Sequence, residues 1–183
     1  MSTGQTGLTL VELLITLVIL TVLIGIGVPG FKGTIESNRL QSQSYDISAA
    51  LSYARIEAID KGLSIALCSS TNSTSCRSDG NKNTWTDGWI LFRDINANGS
   101  LDTPDCTNDN KDCILKVWNS LSGSSVLTST TNHLVFASDG RLQSSTLSFT
   151  LTTDSPALCG INQKRTLSVL ATGRLTITES DCP

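Results

Sequence analysis

Gly7-Leu8-Thr9-Leu10-Val11-Glu12, followed by an apolar run that reaches Val28, decides how this chain is read. From Leu8 to Val28 the only charge is Glu12, and at about 1.5 Å per residue a helix over this stretch is long enough for a hydrocarbon core of ~30 Å. The pattern predicts a membrane-spanning helix over 8–28. A carboxylate inside hydrocarbon costs roughly 2.5 kcal/mol or more, so such a residue has a partner or a task. A cleaved secretory signal competes with this reading, but it calls for a basic start, a shorter apolar core and an A-x-A-like site. Met1 to Gly7 holds no Lys or Arg, and Gly25-Ile26-Gly27 is the small-x-small candidate. A plain signal anchor is a second competitor, and a Glu12 that snorkels to water from one turn inside the helix is a third. The nearest basic residues, Lys32 and Arg39, follow the span, so charge does not orient it.

The chain has 183 residues, a net charge of −3 and a pI near 5.0, with room for one anchor and one globular domain of moderate size. The acidic balance argues against a globally basic nucleic-acid binder. Aromatic residues make up only 5 % of the chain, while Ser, Thr, Asn and Gly abound, which suits an extracytoplasmic β-rich domain with many turns. Six cysteines form an even set downstream of the apolar run, as expected in an oxidising compartment such as the periplasm. They cluster along the chain as Cys68 with Cys76, Cys106 with Cys113 and Cys159 with Cys182, and these are the expected bridges. Zinc is disfavoured, because there is no C-x-x-C and only one histidine. A Cys159–Cys182 bridge would contribute on the order of 3 kcal/mol in the chain-entropy model and tie down the C-terminus.

Beyond Pro29-Gly30 the pattern becomes amphipathic: Leu40, Ile47, Leu51, Ala54 and Ala58 recur on one helical face, and Gly62 is a natural stop. The expected element is one long helix from Leu8 to Lys61, about 80 Å in length, bent or locally melted at Pro29, Gly30 and Gly33. Its second half, 29–62, is expected to pack on a β-rich domain over 63–183. In that domain the predicted strands are Ser64-Cys68, Gly88-Arg93, Leu115-Trp118, His133-Ala137, Thr146-Thr152, Thr166-Ala171 and Arg174-Thr178. Each is bounded by a turn signal such as Asp87-Gly88, Asp139-Gly140 or Thr172-Gly173, and antiparallel sheets are the economical arrangement. Asn72 to Asn83 and Asn96 to Asp112 read as long polar loops, each stapled by its own disulfide.

Gly7-Leu8-Thr9-Leu10-Val11-Glu12 resembles the processing site of type IV pilins and pseudopilins. Leu8 stands where that family usually carries Phe. Gly88-Trp89-Ile90-Leu91-Phe92, the segment Asp94 to Gly99, Leu134-Val135-Phe136 with Asp139-Gly140-Arg141, Gly173-Arg174 and the terminal Cys182 follow in order. Together these pieces resemble the GspH/FimT/FimU group of minor pilins and pseudopilins. The resemblance implies an α+β, pilin-like fold in which a long N-terminal helix packs on antiparallel sheets. It implies residues 1–7 as a leader, cleavage between Gly7 and Leu8 by the prepilin peptidase, and N-methylation of Leu8. It further implies a single-pass anchor in the bacterial inner membrane, a periplasmic C-terminal domain, and other pilins or pseudopilins as partners. The expected role is a low-copy subunit at or near the tip of a type IV pilus that helps initiate assembly; the alternative is a pseudopilin of type II secretion. Glu12 would meet the terminal amine of a neighbouring subunit, four positions along one helical face from its own Leu8, so that a misplaced subunit leaves a charge unpaired.

Three further constellations bear on chemistry. Asp94, Asn96, Asn98, Ser100, Asp102 and Asp105 have the oxygen-ligand spacing of a calcium loop, with Gly99 at the turn position. Against this, position 12 is Asp rather than Glu, no helices flank the loop, and Asp, Asn and Gly are also the residues of an ordinary turn after a strand. Calcium is therefore the one candidate cofactor, beside a purely structural turn. His133 lies in a predicted strand with no nucleophile motif to serve, so the chain reads as a non-enzyme. DNA contact is the alternative of another class: some FimT-like relatives bind DNA through a C-terminal G-R-x-R, where this chain reads Gly173-Arg174-Leu175-Thr176. Lys164, Arg165 and Arg174 would supply a modest basic patch, balanced against three separately solvated charges.

Overall fold

The computed structural model describes residues 7, 9–80, 83–154 and 163–182, and within the helix the backbone alone for 26–30 and 32. Thr9 starts the helix. Its hydroxyl accepts from the Glu12 N–H at 3.3 Å, while Glu12 Oε2 accepts from the Thr9 N–H at 2.9 Å and from its hydroxyl at 3.0 Å. This reciprocal capping box satisfies donors that a helix N-terminus otherwise leaves orphaned. Helix α1 then runs Leu10–Lys61 and stops at Gly62, whose φ of 64° is left-handed and whose N–H donates to the Ala58 carbonyl. The expected melting at Pro29-Gly30 is corrected: the backbone stays α-helical through both residues. Proline removes one donor, and the ladder continues on both sides of that gap.

The two halves of α1 have different surroundings. Between Leu10 and Ile24 the large apolar side chains are 50 % to 75 % exposed, and the hydroxyls of Thr16 and Thr21 turn back onto the carbonyls of Leu13 and Val18, both at 2.8 Å. Among the described residues no helix is long and apolar enough to cross a membrane; the exposed apolar run from Leu10 to Ile24 is about 22 Å long, against a hydrocarbon core of ~30 Å. In the second half Leu40, Ile47, Leu51, Ala54 and Ala58 are all buried, as their spacing predicts. Burial of Leu40, Ile47 and Leu51 contributes about 1.5–3 kcal/mol each, and the two alanines let the helix approach the strands closely.

Eight strands follow: β1 Ile65–Ser69, β2 Gly88–Arg93, β3 Cys113–Asn119, β4 Ser125–Ser129, β5 His133–Phe136, β6 Leu147–Thr153, β7 Lys164–Val169 and β8 Leu175–Ser180. They form two antiparallel four-stranded sheets, ordered β3-β2-β1-β5 and β4-β6-β7-β8. Strand β4 departs from the sequence prediction. Ser125-Val126-Leu127-Thr128-Ser129 fully buries only Leu127 among its apolar side chains, and its pairing with β6 rather than its hydrophobicity makes it a strand. Helix α1 touches β1 and β5 of the first sheet and β6, β7 and β8 of the second, so one core serves helix and both sheets. Trp85 closes this core with an edge-on contact to Phe149 at 5.0 Å, and its indole N–H donates to the Thr131 carbonyl at 2.9 Å.

The opposite face of the first sheet is also covered. Ala66, Cys68, Ile90, Phe92 and Val135 form a second, smaller cluster on which Cys76, Ala97, Leu101 and Ile114 pack. These come from the polar loops and the start of β3, which explains why β1 and β2 are buried on both sides.

Candidate functional site

Five of the six cysteines lie among the described residues. Cys68–Cys76 and Cys106–Cys113 are bridged as expected. Cys182 is disulfide-bonded, and Cys159, its expected partner, lies outside the described residues. Cys68 points from β1 to the outer face of the sheet, so its bridge pins the 70–76 segment there. Cys113 opens β3 and pins the end of the 94–112 loop.

At the N-terminal end, Leu8 and residues 1–6 lie outside the described residues, while Gly7 is exposed just before the helix. Glu12 is held by the capping box, which directs its carboxylate back toward the start of the chain.

The calcium-like loop is organised by two buried carboxylates. Asp94 is fully buried; its Oδ2 accepts from the Gly99 N–H at 2.7 Å and its Oδ1 from the Asn98 N–H at 3.3 Å. Asp112, which sequence reasoning missed, is 3 % exposed and accepts from the N–H groups of Ile95 at 3.0 Å and Asp102 at 2.7 Å. No local motif distinguishes Asp112 in the sequence, because its donors come from ten and seventeen residues away. Burial pushes the Asp94 carboxyl above the ordinary aspartate range, the Gly99 and Asn98 N–H groups pull it back, and the nearby Asp112 charge adds to the rise.

The remaining expected ligands satisfy one another. The amides of Asn98 and Asn96 both donate to Asp102 Oδ2, at 2.8 and 3.2 Å, and Asn98 Oδ1 accepts from the Ser100 N–H at 2.7 Å. Asp105 is turned elsewhere, accepting from the hydroxyl and N–H of Thr107 and facing Lys111, and its carboxyl is held below the usual range by Thr107 first and Lys111 second. Among the described residues no three His, Cys, Asp or Glu side chains are grouped so as to hold a metal ion. Arg93 completes the loop by donating to the carbonyls of Asn108 at 2.9 Å and Lys111 at 3.0 Å. His133 lies against Gly99, whose φ is +75° and where an added Cβ would overlap the imidazole. Gly99 thus serves the turn and the close approach of the ring together.

The expected basic trio is corrected: it is not one patch. Lys164 and Arg165 are consecutive in β7 and point to opposite faces. Arg165 is buried on the side of Leu167 and Val169, directly opposite Glu179, with Nε 3.3 Å from the carboxylate. Arg174 follows the turn at the far end of the β7–β8 hairpin, about 17 Å along the strand from Lys164. The structure instead brings two glycine turns together. Arg55 of α1 donates to the carbonyls of Gly140 at 3.0 Å and Thr172 at 3.1 Å. A Cβ on Gly173 would overlap the Gly140 carbonyl, so Asp139-Gly140-Arg141 and Gly173-Arg174 meet at one end of the domain with both arginines exposed.

Comparison with known proteins agrees with this architecture. The family described as "Type II transport protein GspH" matches residues 43–173, and the "Prokaryotic N-terminal methylation motif" matches residues 2–28. No single curated protein matches the chain. Among solved structures, the type IV minor pilin FimU of Pseudomonas aeruginosa is similar at 21 % identity and a TM-score of 0.55, over 77 % of this chain and 89 % of that one. A second crystal form of FimU gives 18 %, 0.52, 75 % and 91 %. At these identities the likeness concerns the fold alone. The GspH match spans well over half of the sequence, from the buried half of the helix to the Gly173 turn, and the chain belongs to the GspH family, with the prokaryotic N-terminal methylation motif ahead of its domain.

Proposed function

We propose that this protein is a structural subunit, a minor pilin or pseudopilin that is anchored in the bacterial inner membrane and inserts α1 into a growing helical bundle. One observation carries the reading: a single helix is buried on two sheets over its second half, yet from Leu10 to Ile24 it exposes large apolar side chains on every side. Lipid, and later the helices of neighbouring subunits, would cover that surface. The sequence continues the apolar run to Val28, which supplies the length for a span. Cleavage between Gly7 and Leu8 would place a new amine four positions from Glu12. The Thr9 hydroxyl and N–H already direct the carboxylate toward that end, ready to meet the amine of a neighbour. FimU is a type IV minor pilin by its description; for this chain we favour a role in initiating assembly at or near the tip of a type IV pilus, with a pseudopilin of type II secretion as the alternative.

Mass spectrometry of the membrane-extracted protein is expected to find a chain that begins at N-methylated Leu8. Glu12→Leu is expected to reach the membrane but to lose co-isolation with its partner pilins. A native chain beginning at Met1 or well past Val28, or normal co-isolation of Glu12→Leu, would refute the reading. Loss of twitching on deletion identifies the pilus, and loss of exoprotein release identifies secretion.

DNA contact is a second reading, favoured by the adjoining turns that present Arg141 and Arg174 together. Two phosphate contacts bind weakly and lose affinity with salt. A low-salt gel shift abolished by Arg174→Ala supports it, and no shift removes it.

A further inference from the structure

Four strands end the two sheets, and they are treated differently. The outer edge of β5 is covered by the chain returning through Leu142 and Gln143, with the Gln143 N–H donating to the Val135 carbonyl at 2.9 Å. The edge of β4 is covered by Asn83 to Trp85: the Trp85 N–H donates to the Leu127 carbonyl at 2.8 Å and the Ser129 N–H to the Asn83 carbonyl at 2.9 Å. Among the described residues nothing pairs with the outer edge of strand β8 either; it exposes Ile177 but is otherwise polar beyond Leu175, carrying Thr176, Thr178, Glu179 and Ser180, with Glu179 opposite Arg165. Strand β3 is open and apolar. Among the described residues nothing pairs with its outer edge, and its Ile114-Leu115-Lys116-Val117-Trp118 has a single charge.

An uncovered edge of this kind presents every second N–H and C=O outward, and natural proteins blunt such edges or use them. Here the blunting is slight. Leu115, where the register with β2 shifts, and Val117 are 37 % and 36 % exposed. Lys116, the one charge, lies over the rings of Tyr53 at 5.4 Å and Trp118 at 4.9 Å and takes part in no ion pair among the described residues. The backbone edge therefore calls for an extended chain, the exposed Val117 for an apolar residue on one of its faces with Leu115 beside it at the register shift, and the Lys116 ammonium for a carboxylate on the face opposite Val117.

We propose that β3 docks an extended, acid-bearing segment of a neighbouring subunit, which adds as a fifth strand to the first sheet. The proposal rests on the pilin-like reading above for the source of that segment.

The test uses the full chain in its membrane, before and after co-assembly with the pilin subunits of the same apparatus. Amide exchange over 114–119 is expected to slow about tenfold on co-assembly, with β8 unchanged. Leu115→Lys with Val117→Lys, both at exposed positions, is expected to remove the slowing at an unchanged melting temperature. Should that pair disturb the fold, Lys116→Glu is expected to lower incorporation about tenfold while Lys116→Arg preserves it. Unchanged exchange in β3, equal slowing in β8, or equal incorporation of Lys116→Glu and Lys116→Arg would overturn the proposal. Concentration-dependent protection in the isolated chain would overturn it in favour of a second copy. Failure of the anchor reading is separable: a wild-type assembly that excludes Glu12→Leu but leaves β3 unprotected refutes the docking alone.

Discussion

Removing the Asp94 carboxylate tests whether the loop after β2 is a self-contained turn or an ion site. Asp94→Ala leaves the buried Gly99 N–H without the acceptor it holds at 2.7 Å, while the exposed Asn98 N–H keeps Asn96 Oδ1 at 3.3 Å. An unsatisfied buried donor costs about 1–3 kcal/mol, which is the expected loss. For a domain of this size that corresponds to a melting temperature roughly 2–12 °C lower. Asp94→Asn keeps one acceptor oxygen and is expected to lose less. The pH dependence has a definite sign. Because burial raises the folded carboxyl above the ordinary aspartate value of 3.8, the folded state binds the proton more tightly than the unfolded chain. The resulting stability is fully present below pH 3.8 and is lost as pH rises through the folded value. Wild type is therefore expected to lose stability relative to Asp94→Asn as pH rises across that window. Thermal melts of the full chain in detergent, from pH 4 to 7.5 with and without millimolar calcium, decide the matter. A self-satisfied loop predicts no calcium response. Stabilisation of about 2.7 kcal/mol at one hundred times the dissociation constant, present in wild type and absent in Asp94→Asn, would refute the turn reading and establish the ion. A melting temperature of Asp94→Ala equal to wild type would refute the energetic reasoning.

Two other perturbations probe the frame around that loop. Gly173→Ala places a Cβ against the Gly140 carbonyl at a φ of +76°; the left-handed conformation alone costs about 1–2 kcal/mol, so denaturant unfolding is expected to show a larger loss than for Gly80→Ala, where space is open and φ is ordinary. Replacing Cys68 and Cys76 together by Ala opens a loop whose ends are 8 residues apart and is expected to cost about 2.5 kcal/mol by loop-closure entropy, with faster proteolysis confined to 70–83.

Much of the architecture was legible in the residues. The heptad-like recurrence of Leu40, Ile47, Leu51, Ala54 and Ala58 names the buried face because a helix repeats every 3.6 residues whatever packs on it. Gly62 marks the stop because only glycine takes the left-handed cap readily. The short separations of Cys68 from Cys76 and Cys106 from Cys113 make local bridges the simplest pairing. What was not legible depended on partners distant in sequence. Val126 and Leu127 are too few to announce β4, which exists because Leu147–Thr153 lies beside it. Asp112 carries no motif, yet it holds the N–H groups of Ile95 and Asp102.

By itself the sequence determined the exposed apolar run from Leu10 with Glu12 near its start, the single long helix, the disulfide-stapled β domain and membership of a pilin-like family. Each of these follows from local periodicity, spacing or a contiguous motif. Only the tertiary structure decided that Lys164, Arg165 and Arg174 fail to meet, that Arg55 joins the turns at Gly140 and Gly173, that Asp94 is spoken for by backbone donors, and that the outer edge of β3 is unpaired among the described residues. These depend on which strand faces which and on which edge a returning loop happens to cover, and pairing across tens of residues leaves no signature in any one of them.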